Sequence, residues 1–342
     1  NPGFTMYKHL ILVSLLNREY GIKNPEVFGV TSDEIHELLK VIELPITEKQ
    51  IEQSYPETFY NFCQDSIGEH WHSIAAALNN KPSVFIRGNT LRTTRDALVE
   101  QLKNLQVEFS TDCVVPVSLA KNSDCIQILS KNNLKKSDLY NQGFFEFQDI
   151  GSQAIGEFLF SSITDTSKLK DITILDLCAG AGGKTLHLSA LLNNEGKIYA
   201  TDYKASRLRN LQQRAEQAGC KNIKIIDFKE VKQLKNLDFI LMDAPCSGTG
   251  TFKRQADLKY KVTSEKIQEY QTIQASLLNE YKNLLHKNGQ LIYATCSILP
   301  QENELQIQSF LKNNPGFSLV KSQQLLPTEY DGDGFYMACL SR

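Results

Sequence analysis

Residues 174–185 read ILDLCAGAGGKT, and the rest of the chain is organised around them. An apolar run carries the chain into Asp176, glycines follow at 180, 182 and 183, and the helix-favouring segment LHLSALL begins at Leu186. The pattern predicts a buried strand, a Gly-rich turn and a helix N-terminus. Glycine there permits unusual backbone angles and close approach to a ligand, while the free N–H groups of the first helical turn face the same crevice. Cys178, Ala179, Gly180, Ala181, Gly182, Gly183 and Lys184 are therefore the expected cofactor cradle.

Three cofactors fit such a turn. The dinucleotide pattern G-x-G-x-x-G, counted from Gly180, ends on Thr185 instead of glycine. The P-loop pattern is satisfied at Gly183-Lys184-Thr185, and an apolar strand ending at Asp243 resembles its magnesium-binding partner, but its first glycine falls on Cys178. An acidic residue, a short gap and G-x-G fit the turn that binds S-adenosylmethionine in Rossmann-like methyltransferases. The turn alone leaves all three open.

At 342 residues the chain is expected to hold two domains, or one large domain with an appendage. No apolar run is long enough to span a membrane, and the N-terminus lacks the basic and apolar pattern of a signal peptide. The eight cysteines form no C-x-x-C pair and have no His cluster nearby, which argues against a zinc site or a disulfide framework. Reduced thiols, a cytoplasmic location, a monomeric state and no bound metal are the corresponding expectations. Charge is unevenly spread: residues 1–80 hold 5 Lys and Arg against 11 Asp and Glu, and residues 81–136 hold 9 against 5. Local basicity of that kind suits nucleic acid without requiring it.

Residues 1–80 read as a helical segment, with Leu12, Leu15, Leu16 and Tyr20 on one face and Ile35, Leu38, Leu39 and Ile42 on another, the second capped by Thr31 or Ser32. Trp71 is read as a docking residue of a further helix. Residues 81–142 follow as a small α/β unit: a strand in SVFIRGN, a helix after Thr93 or Thr94, and strands near 114–119 and 125–129. Small sheets of this kind offer RNA-binding faces, with Arg87, Arg92, Arg95, Lys131, Lys135 and Lys136 as phosphate contacts. A polar and aromatic linker, YNQGFFEFQDIGSQ, leads into the third unit, residues 143–342.

There strands alternate with helices: 172–177, 197–202, 223–227, 238–243 and 290–295. Alternation of this length predicts a parallel doubly wound sheet with its ligand crevice at the C-terminal strand ends. FSLV near 317 and GFYMACL from Gly334 predict a closing antiparallel hairpin, which favours the methyltransferase form of the fold over the dehydrogenase form. Asp202, Asp227 and Asp243 close successive strands. Asp202 stands where a carboxylate meets ribose hydroxyls, and Asp227 is expected beside an adenine edge.

Two stretches discriminate further: DAPCSGTGTFKR, residues 243–254, and YATCSILPQEN, residues 293–303. Each sets a cysteine, Cys246 or Cys296, just past a strand end and before a serine, so both thiols are expected to face the cofactor crevice.

In these motifs, and in FIRGNTLRTTR, FQDIGSQ and DGFYMACL, the chain resembles the RsmB-like (Nol/Nop/Sun) family of RNA cytosine-5 methyltransferases from at least residue 82 to 342. Gly180-Ala181 replaces the family's usual Ala-Pro, and Ala256 stands before Asp257 where proline is more typical. The resemblance implies an S-adenosylmethionine-dependent enzyme acting on RNA, small-subunit ribosomal RNA before transfer RNA. It implies Cys296 as the nucleophile and Cys246 as the thiol that assists release. The residues alone do not make that assignment, since DNA cytosine-5 enzymes attack with a Pro-Cys thiol. Carbon 5 of cytosine is too poor a nucleophile to take a methyl group directly, and prior addition of a thiolate at carbon 6 activates it. Asp243 is expected to bond the base and also to touch the cofactor, Lys184 to meet the base or a phosphate, and Lys253, Arg254, Lys259 and Lys261 the RNA backbone. A P-loop NTPase and a non-catalytic RNA-binding assembly factor are the competing classes.

Overall fold

The computed structural model describes residues 54–113, 124–130 and 133–342. The two N-terminal helical faces, the strand near 114–119 and Lys131 lie outside the described residues. The first described elements are helices α1 (Glu57–Ile67) and α2 (Trp71–Leu78). Trp71 is fully buried, with its ring 5.3 Å from Tyr55 and 6.3 Å from Phe59, and both of those rings also meet Phe252. Trp71 is thus a core residue that docks its helix.

The small sheet has the order β2-β3-β1-β4, all neighbours antiparallel: β1 (Val84–Gly88), β2 (Phe109–Ser110), β3 (Cys125–Ile128) and β4 (Phe145–Phe147). Helix α3 (Arg95–Asn104) starts where the Thr94 hydroxyl accepts from the Ala97 amide, and buries Leu98 and Leu102 beneath the sheet. One correction concerns the expected linker. After a single turn, α4 (Asp138–Asn141), its FEF segment forms β4, because the free edge of β1 takes a partner and Phe145 fills the core beneath it. The next helix, α5 (Ile150–Phe160), is capped by Asp149, which accepts from the Gly151 amide at 2.8 Å.

The large sheet has the order β10-β11-β9-β8-β5-β6-β7. Its parallel strands are β5 (Thr173–Asp176), β6 (Lys197–Ala200), β7 (Ile223–Ile225), β8 (Leu237–Asp243) and β9 (Leu285–Thr295). The hairpin β10 (Ser318–Leu325) and β11 (Phe335–Ser341) inserts β11 antiparallel beside β9, as expected of the methyltransferase form. Helices α6 (Gly183–Leu191), α7 (Leu211–Ala218), α8 (Ser264–Tyr281) and α9 (Glu304–Asn313) complete the layers. Leu175, Ile240, Leu241 and Met242 are wholly buried, which is why these strands read as continuous apolar runs. Strand order reverses between β5 and β8, and a crevice opens at their C-terminal ends.

Candidate active site

At that reversal point lies a cleft of about 820 Å³. Its floor is the Gly-rich turn: Cys178, Ala179, Gly180, Ala181, Gly183 and Lys184 line it, together with Asp176, Asp202, Asp243, Cys246 and Cys296. Gly182 does not line it. Its φ of +89° makes it the left-handed residue that opens α6, and a Cβ there would come within 2.1 Å of the buried Leu211 side chain. The turn is tied to the small sheet by Arg214, which donates to the Ala181 carbonyl and pairs with Glu146 of β4 at 2.7 Å.

Acidic groups surround the cradle. Asp202 is buried and accepts from the Gly180 amide at 3.0 Å and the Lys204 amide at 2.8 Å. Asp176 accepts from the Thr185 hydroxyl at 2.7 Å, but its Oδ1 is buried without a partner. Burial pushes the Asp176 carboxyl up to about 7, the Asp243 charge adding to the rise and the Thr185 bond opposing it. Lys184 pairs with Asp243 and Arg207 approaches Asp202 at 3.8 Å, which leaves Asp176 as the carboxylate with an unpartnered oxygen. S-adenosylmethionine carries a sulfonium and an ammonium, and an added Cβ at Gly180 would meet nothing within 4 Å, so the turn leaves open room beside three carboxylates. The residues fit that cofactor. Asp227 is placed elsewhere: it does not line the cleft, and its carboxylate caps the turn at 228–233 by accepting from Lys229 and sharing a capping box with Glu230.

Lys184 stands 2.6 Å from Asp243 across the cleft. Burial alone would lower its pKa, but the charge and hydrogen bond of Asp243, with smaller help from Cys296 and Asp176, outweigh it and raise it. Beyond Asp243 the chain turns into the Pro-Cys loop, and beyond β9 into the Thr-Cys loop. The Cys246 and Cys296 sulfurs lie 3.4 Å apart, and the Gly250 amide of the first loop donates to the Cys296 carbonyl of the second at 2.9 Å. Pairing with Cys296 and burial hold the Cys246 thiol well above the usual range.

The expected RNA contacts need correction. Arg87 is 3 % exposed, opposite Glu146 on β4, and Lys259 is 7 % exposed, over the Tyr55 ring and donating to Asn79. Neither reaches solvent: Lys259 is taken up by Asn79, and Arg87 lies buried beside the Glu146 charge with its Nε and Nη1 unpartnered. Arg92 donates to the Gln217 and Glu216 carbonyls, Arg95 to Thr111, and the buried Lys253 side chain faces Asp331. Arg254 lines the cleft but bridges Asp149 and Asp333, each at 2.8 Å. Sequence reasoning missed this bridge, and it missed Gln148, Tyr203, Arg207 and Tyr270 on the cleft wall. FQDIGSQ and DGFYMACL were the available signals, since each contains one of Arg254's aspartates. Among the described residues no helix is long and apolar enough to cross a membrane, and no group of three or more His, Cys, Asp or Glu is placed to hold a metal.

Comparison with known proteins agrees with this geometry. Residues 167–341 match the family described as 16S rRNA methyltransferase RsmB/F, and residues 55–126 match the Methyltr_RsmF/B-like, ferredoxin-like domain. Ribosomal RNA small subunit methyltransferase B of Proteus mirabilis is 28% identical over 341 residues, covering 98% of this chain and 77% of that protein. The crystal structure of PH0851 superposes with a TM-score of 0.75 at 25% identity, over 97% of this chain and 75% of the other. NSun6 from Pyrococcus horikoshii, solved with SFG, shares the fold with a TM-score of 0.72 at 19% identity, over 85% of this chain and 99% of that one. A cradle suited to S-adenosylmethionine and a family match over half the chain lead to one conclusion. The chain belongs to the 16S rRNA methyltransferase RsmB/F family and is an S-adenosylmethionine-dependent RNA methyltransferase.

Proposed function

We propose that the protein methylates carbon 5 of a cytosine in 16S ribosomal RNA, in the cytoplasm, through a transient bond between Cys296 and carbon 6 of the base. The observation that carries this is the Cys246–Cys296 contact of 3.4 Å at the mouth of the cofactor cradle. Paired thiols have no use in a P-loop NTPase, and they answer the chemical problem that carbon 5 poses. S-adenosylmethionine, held by the turn at 178–184 and by Asp176 and Asp202, supplies an electrophilic methyl group when bound.

The chain's own residues do the rest. The target base must leave its stack to enter a cleft this deep. The Cys296 thiolate adds to carbon 6, and the ring electrons move to carbon 5, which becomes nucleophilic. Lys184 holds one oxygen of Asp243, and the other is left to accept from the cytosine amino group and orient the ring. Once carbon 5 carries its new methyl, a water molecule takes the carbon 5 proton, the C5–H electron pair re-forms the carbon 5–carbon 6 double bond, and the sulfur–carbon 6 bond breaks with its electrons going to Cys296. Cys246 donates its proton to the departing Cys296 sulfur, 3.4 Å away.

Incubation with cofactor and RNA carrying 5-fluorocytosine tests this, because fluorine at carbon 5 cannot leave as a proton. An adduct mapping by peptide mass to Cys296 is expected. An adduct on Cys246 would reverse the assignment, and no adduct on either would overturn the reading. Bisulfite sequencing of ribosomal and transfer RNA, with and without the protein, identifies the substrate.

A further inference from the structure

Glu302 lies in the QEN end of the Thr-Cys motif and is wholly buried. Its Oε1 accepts from the Ser247 amide at 2.9 Å and the Gln274 side-chain amide at 3.1 Å. Its Oε2 accepts from the Ser247 hydroxyl at 2.5 Å and the Ser297 hydroxyl at 2.6 Å. Amide N–H groups cannot accept in return, and two amides and two hydroxyls converge on the two oxygens, the donor set that a carboxylate completes. All four donors are neutral. A buried carboxylate held by neutral dipoles is costly to maintain and asks for a reason.

The reason lies in what the four donors are attached to. Ser247 follows Cys246, Ser297 follows Cys296, and Gln274 of α8 also donates to the Pro245 carbonyl at 2.9 Å. One carboxylate therefore grips both cysteine turns. The grip is uneven. On the Cys246 side it takes the main-chain amide directly, whereas the Ser297 amide goes to the Thr295 hydroxyl at 3.3 Å and only the Ser297 hydroxyl reaches Glu302. The charges facing the two sulfurs also differ. Cys246 lies against Cys296 and within the field of the Glu302 carboxylate, while Cys296 lies within the field of the Lys184 ammonium.

We propose that Glu302 is a positioning residue: its buried carboxylate fixes the two cysteine turns against each other and, by its charge, keeps the proton on Cys246, so that Cys296 is the attacking sulfur. The Cys246 thiol is indeed raised, first by its pairing with Cys296, then by burial, with the Glu302 charge adding to both. Removal of that charge makes Cys246 easier to ionise and blurs the choice between the sulfurs. The inference rests on the covalent cytosine-5 reading for its meaning, but its first test needs neither RNA nor cofactor.

The test is iodoacetamide alkylation of the full chain, with initial rates at each cysteine read by peptide mass across a pH series. In the unmodified protein Cys296 reacts first. In Glu302→Gln, whose amide can keep most of the hydrogen bonds, the Cys246 rate at neutral pH is expected to rise about tenfold while the Cys296 rate changes little. A folded Glu302→Gln protein with an unchanged ratio of rates would overturn the proposal. Should that variant fail to fold, Ser247→Ala and Ser297→Ala each cut one tether and leave the charge. Both are then expected to lower kcat about tenfold with KM for RNA held within about twofold. A normal kcat in both would overturn the positioning role. A failed cytosine-5 reading shows itself separately, as an absent fluorocytosine adduct beside a normal alkylation preference.

Discussion

The sulfurs of Cys246 and Cys296 stand 3.4 Å apart although 50 positions separate the residues in sequence. Two strand ends, one on β8 and one on β9, bring them together, and the Gly250 amide bound to the Cys296 carbonyl locks the loops in register. A pair this close is also a pair that oxidises. Mild treatment with a disulfide-forming oxidant is expected to join Cys246 to Cys296, lowering the mass by about 2 Da and abolishing methylation until a thiol reductant restores it. Peptide mapping under non-reducing conditions checks this, and activity retained with the bond formed would remove both thiols from the chemistry.

Cofactor affinity should depend on pH through Asp176. Burial raises its folded-state pKa to about 7, so below that value the group is neutral and above it anionic. A cationic ligand prefers the anion, so binding strengthens as pH rises. Calorimetric titration with S-adenosylmethionine is expected to give affinity about fivefold weaker near pH 6 than near pH 8. In Asp176→Asn binding should be weak at both, and a pH slope that survives there would assign the titration to another group.

The two positive-φ glycines of the cradle should respond differently to alanine. Gly182 has φ +89° and would place its Cβ 2.1 Å from Leu211, while Gly180 has φ +56° and open space around it. Gly182→Ala is expected to cost about 3 kcal/mol of stability and Gly180→Ala about 1 kcal/mol, since only the first adds a clash to the backbone strain. Urea denaturation of both variants measures the difference, and equal losses would mean that Leu211 yields freely.

Arg254 is held by Asp149 and Asp333. Arg254→Gln leaves two carboxylates facing each other in a half-buried site, one of them the cap of α5. A stability loss of about 2 to 3 kcal/mol is expected near neutral pH; burial and the Asp149 charge raise the Asp333 pKa to about 6 even against Arg254, and without Arg254 it protonates at higher pH still, so the loss shrinks as pH falls toward 6 and levels off below it. Thermal unfolding at several pH values reads it. A loss independent of pH would show that the lost contact to the Ser83 carbonyl, at 2.9 Å, dominates instead.

The sequence by itself determined the parallel sheet, the Gly-rich turn between β5 and α6, the closing hairpin and the two cysteines at strand ends. Those features are local: an apolar run, a glycine where φ is positive, and a polar residue where a strand stops all leave their mark within a few positions. Only the tertiary structure decided what the charged residues do. Arg87, Lys259 and Arg254 read as RNA contacts because exposed and buried cations look alike in sequence, and their fate depends on Glu146, Tyr55, Asp149 and Asp333, brought from distant segments. Asp227 became a cap, since the turn after β7 offered its amides a nearer partner than the cleft. Glu302 acquired its place in the same way, as an ordinary acidic residue whose role appears when four donors from three parts of the chain converge on it. Burial of polar groups is settled by long-range partners, and no local pattern announces them.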